Sequence, residues 1–300
     1  MAINRAQLAK ELEPGLNALF GLEYARYENE AAQIFDNESS DRAFEEEVML
    51  VGFGQANVKA EGAAVGFDTA SESFTARYTH ETIALAFALT EEAVEDNLYD
   101  TLSARYTKAL ARSMAYTKQV RGADVLNTAF ATTGGDGVTL ANTTHPTALG
   151  GTWSNRSATD ADINETSLEQ AMIDIAGFID ERGLKIAMQG RKLIIPVNIQ
   201  FVVDRVLNST LRVGTADNDI NALKNMGMLP GGYTVNHYLT DTDAWFIKTD
   251  CPNGLKHFTR AALATGMEGD FDTGNMRYKA RERYSFGYSD PRCAYGSQGS

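Results

Sequence analysis

Cysteine and positive charge are both scarce in this sequence. Its 300 residues include 2 cysteines, Cys251 and Cys293, which are not in CxxC spacing. So few cysteines exclude a disulfide-rich scaffold and are typical of a protein that folds in a reducing compartment. Because 27 basic residues are outnumbered by 40 acidic ones, the formal net charge is -13, which argues against a broad nucleic-acid-binding surface.

Long apolar runs are absent as well. No window approaches the roughly 18 consecutive apolar residues of a membrane-spanning helix, and residues 1–30 lack the apolar core of a secretion signal. The sequence therefore predicts no membrane segment and no export signal. The 43% of hydrophobic residues is ample for a folded core.

Motifs that carry chemistry are also missing or incomplete. Asp272-Thr273-Gly274 resembles the loop of an aspartic protease, but a polar segment precedes it where an apolar strand is needed. Asp160-x-Asp162-x-Asn164 begins like a calcium loop, yet Glu165 occupies the position that requires glycine. The four histidines are far apart and show no zinc-site spacing. The sequence thus predicts no catalytic, cofactor-binding or metal-binding residue and favours a protein that is not an enzyme.

The most informative stretch of the chain runs from Ser73 to Arg121. Within it, large apolar residues at odd positions from Ile83 to Leu89 alternate with alanines at even positions from Ala84 to Ala88. This period of two is typical of a β-strand, and the small residues on its second face predict that both faces are covered.

A long helix is predicted directly after this strand, over about residues 91–121. Thr90 can cap its first turn, and Glu91 and Glu92 favour the positive end of the helix dipole. Apolar residues then recur at helical spacing until Gly122, where the helix is predicted to end. About 30 residues at about 1.5 Å each give a rod of roughly 45 Å.

The residues before this strand predict a long hairpin. Strands over Glu46–Lys59 and Ser73–Leu89 flank a glycine-containing loop from Ala60 to Asp68. Because a two-stranded ribbon is barely stable in water, we expect it to contact another element or another subunit. Before it, Pro14-Gly15 is predicted to divide residues 1–22 into two short helices, followed by an extended arm or, equally, a surface helix and loop.

The second half of the sequence predicts an α/β lobe and a basic closing strand. Thr166 to Glu169 has capping-box spacing before a helix, and strands are predicted at Lys192–Pro196, Tyr233–Leu239 and Ala244–Lys248. From Met276 to Tyr288, basic residues alternate with less polar ones. Such a basic face indicates contact with a carboxylate-rich neighbour, although a solvated face is more common.

This order of elements resembles the major capsid (head) protein of tailed bacteriophages, which has the Hong Kong 97-type fold. The resemblance covers essentially the whole chain. It is carried by Glu61-Gly62-Ala63 in the hairpin tip, by the strand-to-helix passage from Tyr78 to Asn97, by the strand Leu193 to Val197, and by Phe271, Asn275, Met276, Arg277 to Arg283 and Pro291 in the tail.

The resemblance implies an α+β fold with four regions. These are an N-terminal arm (1–44), an extended loop (45–76), a peripheral domain with its spine helix (77–190 and 256–300) and an axial α/β domain (191–255). It also implies a structural subunit that assembles into hexamers and pentamers of an icosahedral shell around double-stranded DNA. Expected partners are a portal, a separate scaffolding protein and a decoration protein, with assembly in the host bacterial cytoplasm and no membrane.

On this resemblance the expected contacts between subunits lie in the extended loop and the basic tail strand: Lys59, Glu61, Phe67, Asp68, Glu72, Arg77, Arg277, Arg281 and Arg283. Some family members cross-link a loop lysine to a neighbour, but Lys59 is expected on a strand and no cross-link is predicted. Two alternatives remain open: an encapsulin-like compartment that encloses cargo enzymes, and a cytoplasmic α+β enzyme with an unrecognised site.

Overall fold

Helices and strands are mixed along the chain in the computed structural model, which describes residues 5–90, 99–212, 219–270 and 274–300. The helices are α1 (Arg5–Arg26), α2 (Ala31–Ile34), α3 (Tyr99–Asn127), α4 (Glu165–Ala176), α5 (Gln200–Asn208) and α6 (Ala222–Met226). The strands are β1 (Asp36–Ser39), β2 (Phe44–Val51), β3 (Ser71–Thr79), β4 (Glu81–Leu89), β5 (His145–Pro146), β6 (Thr152–Trp153), β7 (Gly190–Pro196), β8 (Tyr233–Asn236), β9 (Trp245–Thr249), β10 (Leu255–Gly269), β11 (Met276–Tyr288) and β12 (Ala294–Ser297).

Two four-stranded sheets organise the molecule. The first has the order β1-β10-β11-β4, with β1 parallel to β10 and the other pairs antiparallel. The second has the order β12-β9-β7-β8 and packs against α4, α5 and α6. Strands β2 and β3 form a separate antiparallel ribbon. The described structure is therefore α+β, as the sequence predicts.

Helix α1 corrects the predicted break at Pro14-Gly15, because one helix runs from Arg5 to Arg26 with Pro14 inside it. A proline in a helix removes one backbone hydrogen bond. Here the helix continues because Leu16 and Phe20 are buried in a cluster with α3 and β11. The segment after it is not wholly extended either, since it contains α2 and then β1.

Helix α3 is the predicted long helix, but its end lies elsewhere. Residues 91–98, which hold the predicted first turns, lie outside the described residues, and the predicted cap Thr90 is the last described residue before them. The helix continues through Gly122 to Asn127. Glycine is needed there for packing, because an added Cβ would lie 3.0 Å from the Cβ of Ala31 and 3.5 Å from Phe286. Its described 29 residues span about 43 Å.

The predicted strand over Ser73–Leu89 is two strands that belong to different sheets. It breaks at His80, whose ring nitrogens contact Ser40 Oγ at 2.9 Å and Ser285 Oγ at 3.0 Å. Strand β3 pairs with β2, whereas β4 pairs with β11. The alanine face of β4 is exposed, so the prediction that both faces are covered is wrong for the single subunit.

The α/β lobe has its own core. Leu193, Ile195, Trp245 and Ile247 from the sheet are buried against α4 and α5. Helix α4 begins two residues earlier than the predicted cap Thr166 allows, because Asn164 accepts a hydrogen bond from the Ser167 amide and the Ser167 hydroxyl accepts one from the Asn164 amide. The predicted strand from Tyr233 ends at Asn236.

Candidate assembly surfaces

The ribbon, which we define as residues 44–79, ends in a projecting loop. Its strands pair from Phe44 opposite Thr79 to Val51 opposite Ser71, and residues 52–70, the ribbon loop, contain no helix or strand. The side chains of Val58 and Phe67 are fully exposed, and those of Phe53 and Val65 are mostly exposed. Several large apolar side chains in water on one projection indicate a surface that another molecule covers.

The base of the ribbon, in contrast, is bound to the body. The Glu47 carboxylate accepts hydrogen bonds from Lys256 Nζ and Ser289 Oγ. Lys256 Nζ also lies 3.0 Å from a Glu38 carboxylate oxygen. Burial lowers the pKa of Lys256, but its hydrogen bonds to Glu47 and Glu38 outweigh burial and raise that pKa. A charged network therefore joins β1, β2 and β10.

Three of the predicted contact residues, Lys59, Glu61 and Phe67, lie in the exposed loop. The sequence predicted Lys59 on a strand, and this prediction is wrong. Strand β2 ends at Val51, before Gly52 and Gly54, so Lys59 lies in the ribbon loop. Side chains of these three residues form no hydrogen bond or ion pair with other described residues. They are available to a neighbour.

The other predicted ribbon residues are Asp68, near the end of the ribbon loop, and Glu72 and Arg77, on β3. Asp68 accepts hydrogen bonds from the backbone amides of Gly54 and Thr69, each at 2.8 Å, and these bonds lower the pKa of its carboxyl group. Glu72 is exposed on β3. Arg77 lies 4.0 Å above the Phe44 ring and 3.7 Å from Glu46. Asp68 and Arg77 therefore stiffen the ribbon internally, whereas the side chain of Glu72 faces solvent.

The basic alternation predicted for the tail strand is present in β11. Tyr278, Ala280 and Glu282 are buried on the side that faces α1 and α3. The opposite side carries four cations, which we call the cationic row: Arg277, Lys279, Arg281 and Arg283.

Not all of these cations are neutralised within the subunit. Arg277 pairs with Asp270, and Arg283 Nε donates to the His80 carbonyl oxygen at 3.4 Å. Lys279 and Arg281 have no acidic partner in the part of the chain that the structure describes. Two adjacent cations therefore face solvent in a protein whose net charge is -13.

Small residues flank the cationic row on both neighbouring strands. On β4, Ala84, Ala86 and Ala88 lie opposite Arg281, Lys279 and Arg277. On β10, Ala264 and Gly266 lie opposite Arg281 and Lys279. Residues directly opposite each other in an antiparallel sheet point to the same face. The row therefore stands on a flat, open face that an extended segment can approach closely.

The ribbon and the cationic row lie on the same side of the first sheet. Gly287 continues the odd-numbered side of β11, and a Cβ at this position would lie 2.8 Å from the Tyr78 ring at the ribbon base. Ser285, on the same side, contacts His80. Helices α1 and α3 cover the other side. A neighbour that approaches the sheet from the ribbon side meets the row.

Two other residues hold the ribbon to the body, and no local sequence pattern predicts them. These are Lys256, described above, and Arg182, whose Nε donates to the Gly52 carbonyl oxygen at 3.1 Å. Both contacts join residues more than 100 positions apart. Within the described ranges, no group of three or more His, Cys, Asp or Glu side chains is placed to hold a metal ion. None of the described helices combines the length and apolar character needed to cross a bilayer.

A protein family described as phage capsid protein matches residues 73–297 of this chain. The match covers the second strand of the ribbon, the long helix, the α/β lobe and the closing strands. The sequence has no match among curated proteins.

Solved capsid structures are similar to this chain over nearly its whole length. The virus-like particle from Pyrococcus furiosus has a TM-score of 0.54 at 9% identity, covering 94% of this chain and 97% of that one. Mycobacterium phage Che8 has a TM-score of 0.56 at 16% identity, covering 90% and 92%. The capsid of Cyanophage P-SCSP1u has a TM-score of 0.57 at 12% identity, covering 88% and 85%. Identities this low establish the fold alone.

Proposed function

The chain belongs to the phage capsid protein family, and from this premise we propose how its copies build a shell. It is a structural protein with the α+β Hong Kong 97-type fold, a major capsid subunit of a tailed phage. Its copies assemble into the capsid of the virion. The proposal is that they form hexamers and pentamers of an icosahedral shell that encloses double-stranded DNA without sequence-specific binding. Portal, separate scaffolding and decoration proteins are proposed partners, and the host bacterial cytoplasm is the proposed place of assembly.

Each region of the chain has a proposed part in the shell. Residues 1–44 act as the arm and 45–76 as the extended loop. Residues 77–190 and 256–300 form the peripheral domain, and 191–255 form the axial domain around the symmetry axis of each hexamer or pentamer.

One observation supports the proposed contact between subunits: the ribbon and the cationic row lie on the same side of the first sheet. Copies related by rotation about an axis through the shell all turn the same side outward. A ribbon that leaves one subunit on that side therefore meets the same side of its neighbour. Glu61 and Glu72 on the ribbon complement Lys279 and Arg281 on the row, and the exposed Phe67 adds apolar area.

Deletion of Ala60 to Ser71 tests the role of the loop. The deleted residues are exposed and contribute no core, so we expect a folded, soluble subunit that does not close a shell. A variant with the same segment replaced by glycine and serine at equal length separates lost contacts from lost reach. Normal closed particles from both variants, seen by electron microscopy, would refute the proposal.

A cysteine pair tests which surfaces meet. Oxidised shells of Glu61→Cys with Lys279→Cys should give ladders of cross-linked subunits in denaturing gels, whereas each single variant should remain monomeric. The contents of purified particles distinguish a virion from a cargo compartment, since nucleic acid supports the first and enclosed enzymes support the second.

A further inference from the structure

Arg182 occupies a rigid turn on the surface of the body. The Asp180 amide donates to the Leu184 carbonyl oxygen at 2.8 Å, and Asp180 Oδ1 accepts from the amides of Arg182 and Leu184 at 2.8 and 2.7 Å. Gly183 has φ of +82°, a conformation that other residues rarely adopt. The turn thus has one defined shape, and Arg182 projects from it.

The turn is fixed to the interior by its buried neighbour Glu181. One carboxylate oxygen of Glu181 accepts from Arg292 Nη2 at 2.9 Å, and the other accepts from the Ala148 amide at 2.8 Å. Arg292 Nε also donates to the Ile179 carbonyl oxygen at 2.7 Å, and Arg292 itself is buried. The backbone of Arg182 therefore cannot move without breaking buried charge-assisted bonds.

The Arg182 guanidinium contacts both legs of the ribbon where they leave the paired strands. Its Nε donates to the carbonyl oxygen of Gly52, directly after β2, at 3.1 Å. Its Nη2 donates to the carbonyl oxygen of Thr69, shortly before β3, and lies 3.4 Å from Asp68 Oδ1. Asp68 in turn accepts from the Gly54 amide on the first leg. A single side chain of the body thus holds together the two ends of the ribbon loop.

Behind this contact the ribbon spans an open cleft. The cleft has a volume of about 390 Å³ and lies between Met49, Leu50 and Gly52 of the ribbon and the body residues Ile186, Ala187, Met188, Cys251 and Pro252. Arg292 Nη1 contacts Met49 Sδ at 3.7 Å in this cleft, but side-chain packing does not otherwise fill the space. The direction of the legs therefore depends mainly on the polar contacts at either end of the cleft.

We propose that Arg182 is a positioning residue for assembly, which sets the angle at which the ribbon loop leaves its subunit to reach a second copy of the chain. The inference rests on the proposed function of the ribbon. A planar guanidinium suits this position because its donors point in fixed directions toward two carbonyl oxygens and a carboxylate. An error in this angle is repeated at every contact in the shell.

Three variants test the proposal: Arg182→Ala, Arg182→Lys and the control Arg191→Ala. Arg191 also lies on the body and pairs with a carboxylate, Asp250 at 3.1 Å, so the control removes the same charge without removing a hydrogen bond to the ribbon. We expect Arg182→Ala to reduce the yield of closed, uniform shells by about tenfold relative to the control, equivalent to about 1.4 kcal/mol. Arg182→Lys should restore part of this yield.

Hydrogen exchange of the unassembled subunit measures local opening of the ribbon loop separately from global unfolding. The amides of Gly54 and Thr69 should exchange at least about tenfold faster in Arg182→Ala, with the unfolding midpoint equal to that of the control. Asp68→Ala, the variant to use if Arg182→Ala does not fold, removes only the carboxylate contact of Arg182 and itself frees the Gly54 and Thr69 amides. For this variant the test is therefore the yield of closed shells, which should also fall.

The outcomes separate this inference from the proposed function. Shells from Arg182→Ala and Asp68→Ala that match those from Arg191→Ala, with exchange at Gly54 and Thr69 unchanged in Arg182→Ala, would overturn the inference. Loss of shells in the loop deletion would then still support the ribbon contact. Normal shells from the loop deletion would overturn both.

Discussion

The α/β lobe and the ribbon loop differ most in how far their large apolar side chains are buried. In the lobe, Leu193, Ile195 and Ile247 are completely buried, and Trp245 is 2% exposed. In the loop, Val58 and Phe67 are completely exposed. Burial of apolar area stabilises a fold by about 25 cal/mol per Å². The lobe therefore obtains its stability from its own residues, whereas the loop can obtain it only from another molecule.

This contrast separates residues that determine the stability of the subunit from residues that determine its assembly into a shell. Substitutions in the lobe should change unfolding of the isolated subunit, and substitutions in the loop should change assembly alone. The following predictions test that division, from the largest effect on subunit stability to the smallest.

Trp245→Ala should have the largest effect on the isolated subunit. The indole, at the start of β9, is buried in the core of the lobe, and its Nε1 donates to the Ala161 carbonyl oxygen at 3.0 Å. Loss of a buried aromatic side chain costs about 3–5 kcal/mol. Denaturant unfolding followed by circular dichroism measures this loss. A loss below about 1 kcal/mol would mean that the lobe is not the stabilising unit.

Acid should destabilise the body through His257. Burial, together with the nearby Lys118, lowers the pKa of His257 to about 4, while its Nδ1 contacts Asn37 Oδ1 at 2.6 Å. Between pH about 6.5 and about 4 the unfolded chain takes up a proton that the folded chain does not. Stability should therefore fall as the pH decreases through this window, by up to about 3 kcal/mol.

His257→Gln isolates that contribution. The variant should lose stability less steeply than the natural chain between pH 6.5 and 4, because the residue no longer titrates. Unfolding midpoints measured across this range give the difference. Parallel curves for the two proteins would show that another group causes the acid sensitivity.

Glu47→Gln should have an intermediate effect, because it lies at the junction of ribbon and body. It removes the negative charge that accepts from Lys256 Nζ and Ser289 Oγ, and a hydrogen bond to a charged group is worth about 1.5–3 kcal/mol. Glu46→Gln is the matched control, since its contact with Arg77 at 3.7 Å is exposed. Unfolding of Glu46→Gln should change by less than about 0.5 kcal/mol. Equal effects would show that the base is not anchored by Glu47.

Phe67→Ala should have the smallest effect on the subunit and a clear effect on assembly. Because Phe67 is fully exposed, its removal should change the free energy of unfolding by less than about 0.5 kcal/mol. Burial against a neighbour would make the same change cost more than about 1 kcal/mol per contact. Light scattering compares the assembly of the natural chain with that of Phe67→Ala. Unchanged assembly would place Phe67 outside the interface.

Local patterns predicted the features that depend on neighbours in sequence. The alternation from Met276 to Tyr288 predicted the buried and basic sides of β11, and helical spacing predicted α3. The cap of α4 is Asn164, two residues before the predicted cap Thr166, because two residues of similar capping propensity compete there. These signals are short, and tertiary packing shifts their boundaries.

Features that depend on distant residues escaped prediction. Helix α1 passes Pro14 because α3 packs against it, and α3 passes Gly122 because α2 and β11 lie close. The contact of Arg182 with Thr69 joins residues separated by 113 positions. Neither periodicity nor spacing within a segment contains information about such partners. The ribbon itself was predictable, but the residue that directs it was not.

The strand order of the first sheet also determines when this protein can complete its fold during translation. Strands β1 and β4 lie before Thr90, but their partners begin at Leu255 and Met276. A growing polypeptide thus keeps both strands unpaired until these later residues have been synthesised. Capsid building therefore waits for β10 and β11, and products truncated before these strands lack a completed sheet.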